Sequence, residues 1–305
     1  MWKNLVDRFR ALQVFVKVAE RAGFSVAARE LAMSPPAVTR SISALEDRIG
    51  TRLFVRTTRS VRLTEAGTRF LQDARRILMD LDEAEDAAVG SHAAPQGELH
   101  ITAPVLFGRM FVTPLLGAFL DTHAAVAART LYVDRVVSLM DEGLDVAIRI
   151  GTLPDSGLTA VRVGTVRRIM FAAPDYLATH GTPDHPAELQ HHSIIQATTM
   201  GGGPDWAFES AGKRLTVRPG ARLRMNTNDA AIELALTGFG LTRLFSYQVA
   251  AHLAAGRLQP VLEDFEPPSL PVHILHQEGR LVSARIRAFV DFMAAALRTD
   301  PALQC

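Results

Sequence analysis

Residues 34–50 read SPPAVTRSISALEDRIG. Ser34 is a residue type that caps a helix start, and Pro35 and Pro36 fit a first turn whose missing N–H groups would have no partner in any case. Val38, Ile42, Leu45 and Ile49 recur at steps of four, three and four, so they predict one apolar face. Pro36, Thr39, Arg40 and Ser43 point away from it, a small polar face with one guanidinium able to grip a guanine edge bidentately. Just upstream, residues 25–33 (SVAARELAM) predict a second short helix, whose Ala27, Ala28 and Leu31 are small enough for the first to cross it closely. Two short helices and a tight turn make a helix-turn-helix, the shape that lays its second helix in the major groove of DNA. Taken without its flanks, the pair fits a plain helical hairpin about as well.

The flanks favour DNA. Residues 51–64 (TRLFVRTTRSVRLT) alternate apolar and polar about Thr57-Thr58 and read as a two-stranded wing, with Leu53, Val55, Val61 and Leu63 apolar and Arg52, Arg56, Arg59 and Arg62 cationic. Residues 1–76 hold 15 Lys/Arg against 7 Asp/Glu, and the remainder 18 against 25, so a net charge of +1 conceals a basic front and an acidic back. Cations beside a groove-sized helix suit phosphates, which supply affinity and register. Residues 4–21 form a further helix, with Leu5, Phe9, Leu12, Phe15, Val16 and Ala19 on one side to pack under the pair.

The run from Leu12 to Phe70 resembles the winged helix-turn-helix of the LysR-type transcriptional regulators. The resemblance is carried by Phe15, Val18, Glu20, Gly23, Ala27, Ala28, Leu31, Ser34, Pro36, Ala37, Val38, Arg40, Ile42, Leu45, Glu46, Gly50, Leu53, Phe54, Arg56, Arg59, Leu63, Thr64 and Gly67 at the family's spacings, with Phe24 one place earlier than the usual Ser-Phe order. Pro35 departs from the Gln that many members carry, which removes an amide able to bond a base. On this reading Ser34, Pro35, Pro36, Thr39, Arg40 and Ser43 face the DNA, with Arg40, Thr39 and Ser43 on bases and Pro36 on a thymine methyl. Wing residues Arg56 and Arg59 hold phosphate or enter the minor groove.

From Thr64 a long helix opens, with Phe70, Ala74, Ile77, Leu81, Ala84 and Ala88 repeating as a coiled-coil seam. Packing on its own domain is the plainer use of such a face. The flexible break GSHAAPQG at 90–97 isolates the helix and favours a homodimer instead, reading an imperfect inverted-repeat operator. The resemblance adds a dimer of dimers and RNA polymerase as further partners.

Beyond Gly97 strands alternate with helices, which implies a mostly parallel sheet covered by helices. Strands are read at 99–102, 130–133 and 144–150, with a helical stretch at 104–121 interrupted near Pro114 and a helix at 135–142. Extended chain at 161–173 leads into a second such unit, including a helix at 229–237, and residues 272–277 with a helix at 281–297 rejoin the first. Two lobes crossed by two connections resemble the periplasmic-binding-protein-like (type 2) effector domain of the same family, and residues 133–158 (VDRVVSLMDEGLDVAIRIGTLPDSGL) look like the form in a large subgroup of it. The fold class is therefore α+β and multidomain: a winged helix-turn-helix at 1–63, a dimerisation helix at 64–90 and a hinge at 91–97. Lobe I of the two-lobed α/β effector domain follows at 98–161 and 270–305, with lobe II at 162–269.

In such a fold the effector lies between the lobes, at strand ends and helix starts. The resemblance places effector contacts at Thr102, Ala103, Arg149, Gly151, Thr198, Thr199, Thr227, Asn228 and Arg243. Two arginines among them favour an anionic metabolite such as a carboxylate. No cofactor is expected. His191-His192 and His273/His276 sit in no HExxH pattern and read as surface or turn residues, so no metal is expected. MGGGP lacks the Lys-Ser/Thr of a phosphate loop and no GxSxG elbow is present, which argues against an enzyme. The chain's one cysteine, Cys305, cannot close an internal disulfide. The N-terminal 20 residues interrupt every apolar run with charge, and no span reads as long enough to cross a bilayer, so a cytoplasmic protein with no membrane partner is expected. Two competing readings stand beside the regulator: an enzyme or solute carrier on the two-lobe fold, and an architectural DNA binder with a vestigial cleft.

Overall fold

The computed structural model describes residues 2–56, 61–89, 94–154, 157–198, 205–277 and 283–304. The chain divides into two compact units, one of residues 1–94 with 137–144 and 279–284, the other of 95–136, 145–278 and 285–305.

In the first unit, α1 (Trp2–Arg21), α2 (Phe24–Glu30) and α3 (Pro35–Ile49) precede a hairpin of β1 (Phe54–Arg56) and β2 (Val61–Leu63), and α4 (Glu65–Val89) follows. The α3 ends are set locally. Ser34 is extended and its hydroxyl accepts from Ala37 N at 3.4 Å, while Gly50 closes the helix at φ 77°, a left-handed conformation that glycine adopts without steric cost. Val38, Ile42 and Leu45 are buried, each stabilising the unit by about 1.5–3 kcal/mol. Ile49, expected on the same face, is exposed in the last turn, and Val55 of the wing is exposed as well. The core gathers Val14, Phe15, Val18, Ala27, Ala28, Leu53, Phe54 and Ala74 around these residues. Phe15 is its hub, 5.2 Å from the Phe54 ring and 5.1 Å from Phe70. The seam of α4 is therefore divided in use. Phe70 and Ala74 pack into the unit's own core, whereas Ile77 is exposed, so the face left open starts about two turns later than the periodicity suggested. The side chains of Ala84 and Ala88, the wing tip Thr57-Thr58, Gly90 and residues 91–93 of the hinge lie outside the described residues.

The second unit opens with β3 (Gly97–Ala103). A continuous helical stretch follows, made of α5 (Val105–Phe107), a widened π-type turn at Gly108–Val112, and α6 (Thr113–Thr122). The irregularity expected near Pro114 thus falls just before it, where the ladder loosens ahead of the residue that lacks a donor. At 18 residues this stretch is long and apolar enough to span a membrane, contrary to the sequence expectation. Leu106, Phe107, Phe111, Val112, Leu116 and Phe119 are buried within the unit, so it serves as a core helix. Then come β4 (Val126–Tyr132), β5 (Val146–Ile150) and β6 (Leu158–Val166), while α7 (Leu139–Glu142), between β4 and β5 in the chain, belongs to the first unit. The helix expected at 135–142 is only its last turn, begun by Ser138, whose hydroxyl accepts from Asp141 N. A five-stranded sheet runs β4-β3-β5-β14-β6, with β14 at Leu270–Gln277. β3 pairs in parallel with β4 and β5, while β14 is antiparallel to both β5 and β6. The expected mostly parallel sheet is thus mixed, because the returning strand enters from the far end of the chain in the opposite sense. His276 lies buried on that strand rather than at a surface or turn.

The second lobe holds β7 (Arg168–Ala172), α8 (Pro174–His180), β8 (Ile194–Ala197), β9 (Trp206–Ser210), β10 (Lys213–Val217), β11 (Ala221–Met225), α9 (Asn228–Leu236), β12 (Thr242–Phe245), α10 (Ser246–Ala254) and β13 (Gln259–Val261). β12-β7-β13 is an antiparallel sheet, β8 and β11 are parallel, and β9-β10 is a hairpin. Helix α11 (Ala284–Leu297) covers the first lobe with Phe289, Val290 and Met293 buried. The two crossings between lobes meet where Arg167 reaches Glu266 at 3.2 Å, and Ser246 Oγ accepts from Arg167 N at 3.1 Å.

Candidate functional site

On the first unit, Ser34, Pro35, Pro36 and Arg40 are exposed and Thr39 and Ser43 half-buried along one side of α3, opposite the buried Val38, Ile42 and Leu45. Several cations of the unit are paired with acids. Arg21 pairs with Glu30 at 2.8 Å, Arg75 with Glu20 at 3.4 Å and Arg76 with Asp73 at 2.7 Å. Arg52, read from the sequence as a wing cation, is bound to Glu46 at 2.8 Å. Arg40, Arg48 and Arg62 have no ion partner among the described residues. Arg59 and the side chain of Arg56 lie outside the described residues.

The sequence reading underrated Glu46. It is buried, and beyond Arg52 its Oε1 accepts from Leu53 N at 2.9 Å and Phe54 N at 3.1 Å. One carboxylate in the last turn of α3 thus fixes the first residues of the wing. Thr64 locks the other side, donating to Arg52 O at 2.8 Å while accepting from Gly67 N at 2.9 Å. A Cβ on Gly67 would lie 2.1 Å from Leu53 O, so only glycine lets α4 approach the wing this closely.

Within the second unit a cavity of about 580 Å³ opens between the two lobes. The first lobe supplies Pro104, residues 133–136, Arg149 and Ile150. The second supplies Arg168, Thr198, Asn226, Asn228, Phe245, Tyr247 and Gln248. Of the residues expected from the sequence, Arg149, Thr198 and Asn228 line it. Thr102 and Ala103 are fully buried, one step behind Pro104. Gly151 is turned away, its amide bound to Pro271 O at 2.9 Å, and the exposed Thr227 falls between the lining residues Asn226 and Asn228. Thr199 lies outside the described residues.

Arg243 does not line the cavity. Its guanidinium sits over Trp206 and Phe208, 4.7 and 5.3 Å from the ring centres, and Nη1 donates to Ala207 O at 2.8 Å. Burial, with the charge of Arg168 adding to it, pushes its pKa down to about 9, which leaves it a cation at neutral pH. The second cavity arginine is Arg168. It opens β7 directly opposite Phe245 and lies 5.5 Å from that ring. Burial holds Arg168 and Arg149 below the usual guanidinium range. Its position at the head of a strand was the only signal available in the sequence. Asp134 reaches the cavity with Oδ1 accepting from Val105 N at 3.0 Å, and burial, chiefly, lifts its carboxyl above the usual range. Phe107, Phe111 and Phe245 surround the buried Tyr247, whose hydroxyl burial holds above its usual range.

A winged helix-turn-helix reader followed by a two-lobed α/β receptor domain defines a ligand-responsive DNA-binding protein. The family model for the bacterial regulatory helix-turn-helix protein of the lysR family matches residues 9–68, and that for the LysR substrate binding domain matches residues 92–298. The chain belongs to the LysR-type transcriptional regulators: it is a sequence-specific DNA-binding regulator whose activity responds to a small molecule bound between the lobes. It is 34% identical to an HTH-type transcriptional regulator of Xanthomonas campestris pv. campestris, over 94% of this chain and 85% of the relative. It is 32% identical to the HTH-type transcriptional regulator CrgA of Neisseria meningitidis serogroup B, over 94% and 96%. The solved structure of CrgA from Neisseria meningitidis aligns with TM-score 0.61 at 31% identity, over 94% of this chain and 98% of that one. A full-length OxyR variant from Pseudomonas aeruginosa shares the fold at TM-score 0.72 and 15% identity, over 97% and 96%.

Proposed function

We propose that α3 reads its operator with Arg40, Thr39 and Ser43 on base edges, Ser34, Pro35 and Pro36 against backbone and a thymine methyl, and Arg56 and Arg59 on phosphate or in the minor groove. The observation that carries this reading is Arg40, exposed on the polar side of a capped helix with no ion partner among the described residues. The reader spans 1–63, the dimerisation helix 64–90 and the hinge 91–97. A homodimer, pairing further into a dimer of dimers, sits on an imperfect inverted repeat and works through RNA polymerase in the cytoplasm, with no membrane partner and no catalytic turnover. Lobe I (98–161 and 270–305) and lobe II (162–269) enclose the effector, which presents an anionic group to Arg149 and Arg168, with Thr198 and Asn228 beside it. Thr102 and Ala103, at the end of β3, and Gly151 and Thr227, next to lining residues in the chain, support its walls. Two half-buried guanidiniums facing one cavity support this reading.

Genome-wide footprinting of the purified protein tests it. Protected sites should share an inverted repeat with half-sites about one duplex turn apart, or a multiple of that. Protection without sequence preference would leave an architectural binder in its place.

A further inference from the structure

The cavity carries charge of both signs. Arg168 has its buried Nε without a hydrogen-bond partner, and no carboxylate comes within ion-pair reach of it among the described residues. Asp134 lines the same cavity and uses only Oδ1, on Val105 N; its other oxygen has no hydrogen bond among the described residues. No arginine makes an ion pair with Asp134 among the described residues, and the charge of Asp229 in the first turn of α9 adds to the burial that lifts its carboxyl. Arg168 and Asp134, which line the same cavity, therefore form no ion pair with each other among the described residues. The same cavity is also lined by apolar side chains, Phe245 with its ring beside Arg168 and the exposed Val136 close to Asp134 in the chain. A simple anion would answer Arg168 and leave the Asp134 carboxylate desolvated against it, which costs affinity.

We propose that the effector is a zwitterionic amino-carboxylate with an apolar side chain, its carboxylate on Arg168 and Arg149, its ammonium on the free oxygen of Asp134, and its side chain against Phe245 and Val136. This rests on the reading that the cavity takes an anionic group, and it adds the second charge and the apolar body. Charge-assisted hydrogen bonds at both ends fix the ligand's direction, and a site built for both rejects an analogue lacking either.

The test is calorimetric titration of the full-length protein with two matched sets: L-phenylalanine, 3-phenylpropanoate and 2-phenylethylamine, and L-leucine, 4-methylpentanoate and 3-methylbutylamine. At least one amino acid should bind about tenfold or more tighter than both of its partners. Asp134→Asn keeps an acceptor for Val105 N; it should weaken the amino acid and strengthen the deaminated acid, closing the gap between them. If an acid binds wild type as tightly as its amino acid, the zwitterion is overturned while the anionic reading stands. An amine that binds as tightly as its amino acid overturns both. No heat from either amino acid, under conditions where the protein binds operator DNA, overturns the assignment of an apolar amino-carboxylate.

Discussion

Glu46→Ala removes the carboxylate that joins the end of α3 to the start of the wing. Two buried amides, Leu53 N and Phe54 N, lose their partner. Leaving a buried donor unsatisfied costs about 1–3 kcal/mol, so the pair sets a range of about 2–6 kcal/mol. Relief comes from the open hollow lined by Glu46, Arg52, Thr64 and Glu65, through which water reaches the vacated position. Arg52 is exposed and adds nothing to the sum. The expected loss is about 2–4 kcal/mol, read as a shift in the urea midpoint of the reader's transition by circular dichroism, with little change in slope. Glu46→Gln retains a carbonyl for the amides and should lose less than half as much. Because the wing is displaced while α3 keeps its surface, affinity should fall on operator and on random DNA together. An alanine variant within 0.5 kcal/mol of wild type, a bound set at the usual scatter of neutral surface changes, would refute the assignment of Glu46 as the joint.

Arg40→Ala should weaken operator binding by about 1–3 kcal/mol while moving non-specific binding far less; equal losses in fluorescence anisotropy on the two DNAs would contradict base readout. Gly67→Ala places a methyl 2.1 Å from Leu53 O and should lower the reader's stability by about 1–3 kcal/mol, with an unchanged thermal melt as the contrary result. Burial, chiefly, holds the Asp145 carboxyl above its usual range, against the bond it accepts from His100 N at 2.7 Å. A raised folded-state value gives stability that is complete below the unfolded carboxylate pKa and lost as pH rises through the folded one. Asp145→Asn, which keeps an acceptor, should therefore compare best with wild type at neutral pH and lose ground as pH falls through the carboxylate range. An advantage that grows on acidification would show the opposite sign.

Features set within a few residues of chain were legible in the sequence. Ser34, the two prolines and Gly50 mark the ends of α3 without help from the rest of the molecule, and its apolar spacing placed Arg40 outside. The seam of α4 was legible as a pattern but not as a partner, since periodicity cannot tell which apolar body a face meets; Phe70 and Ala74 meet Phe15 and its neighbours. The cavity was legible only in part. Arg243 was read as following a strand, as the rule for ligand loops requires, yet it is the second residue of β12 and pairs with Met170 while Arg168 pairs with Phe245. The two arginines share a sheet face and differ by one repeat along it. That repeat puts Arg168 at the mouth and Arg243 under the β9-β10 hairpin, and strand pairing decides it. Asp134 stood within a quoted motif without a role, because its juxtaposition with Arg168 depends on how the two lobes meet.

The aromatic hub at Phe15 holds the wing through Phe54 and the opening turns of α4 through Phe70 at nearly equal ring distances. The long helix therefore begins as a shaft keyed into the reading head, with no swivel at their junction. Each residue inserted into that shaft would rotate the head by about 100° relative to the shaft's far end, which makes angular phase, ahead of distance, the quantity that a change in this helix would alter.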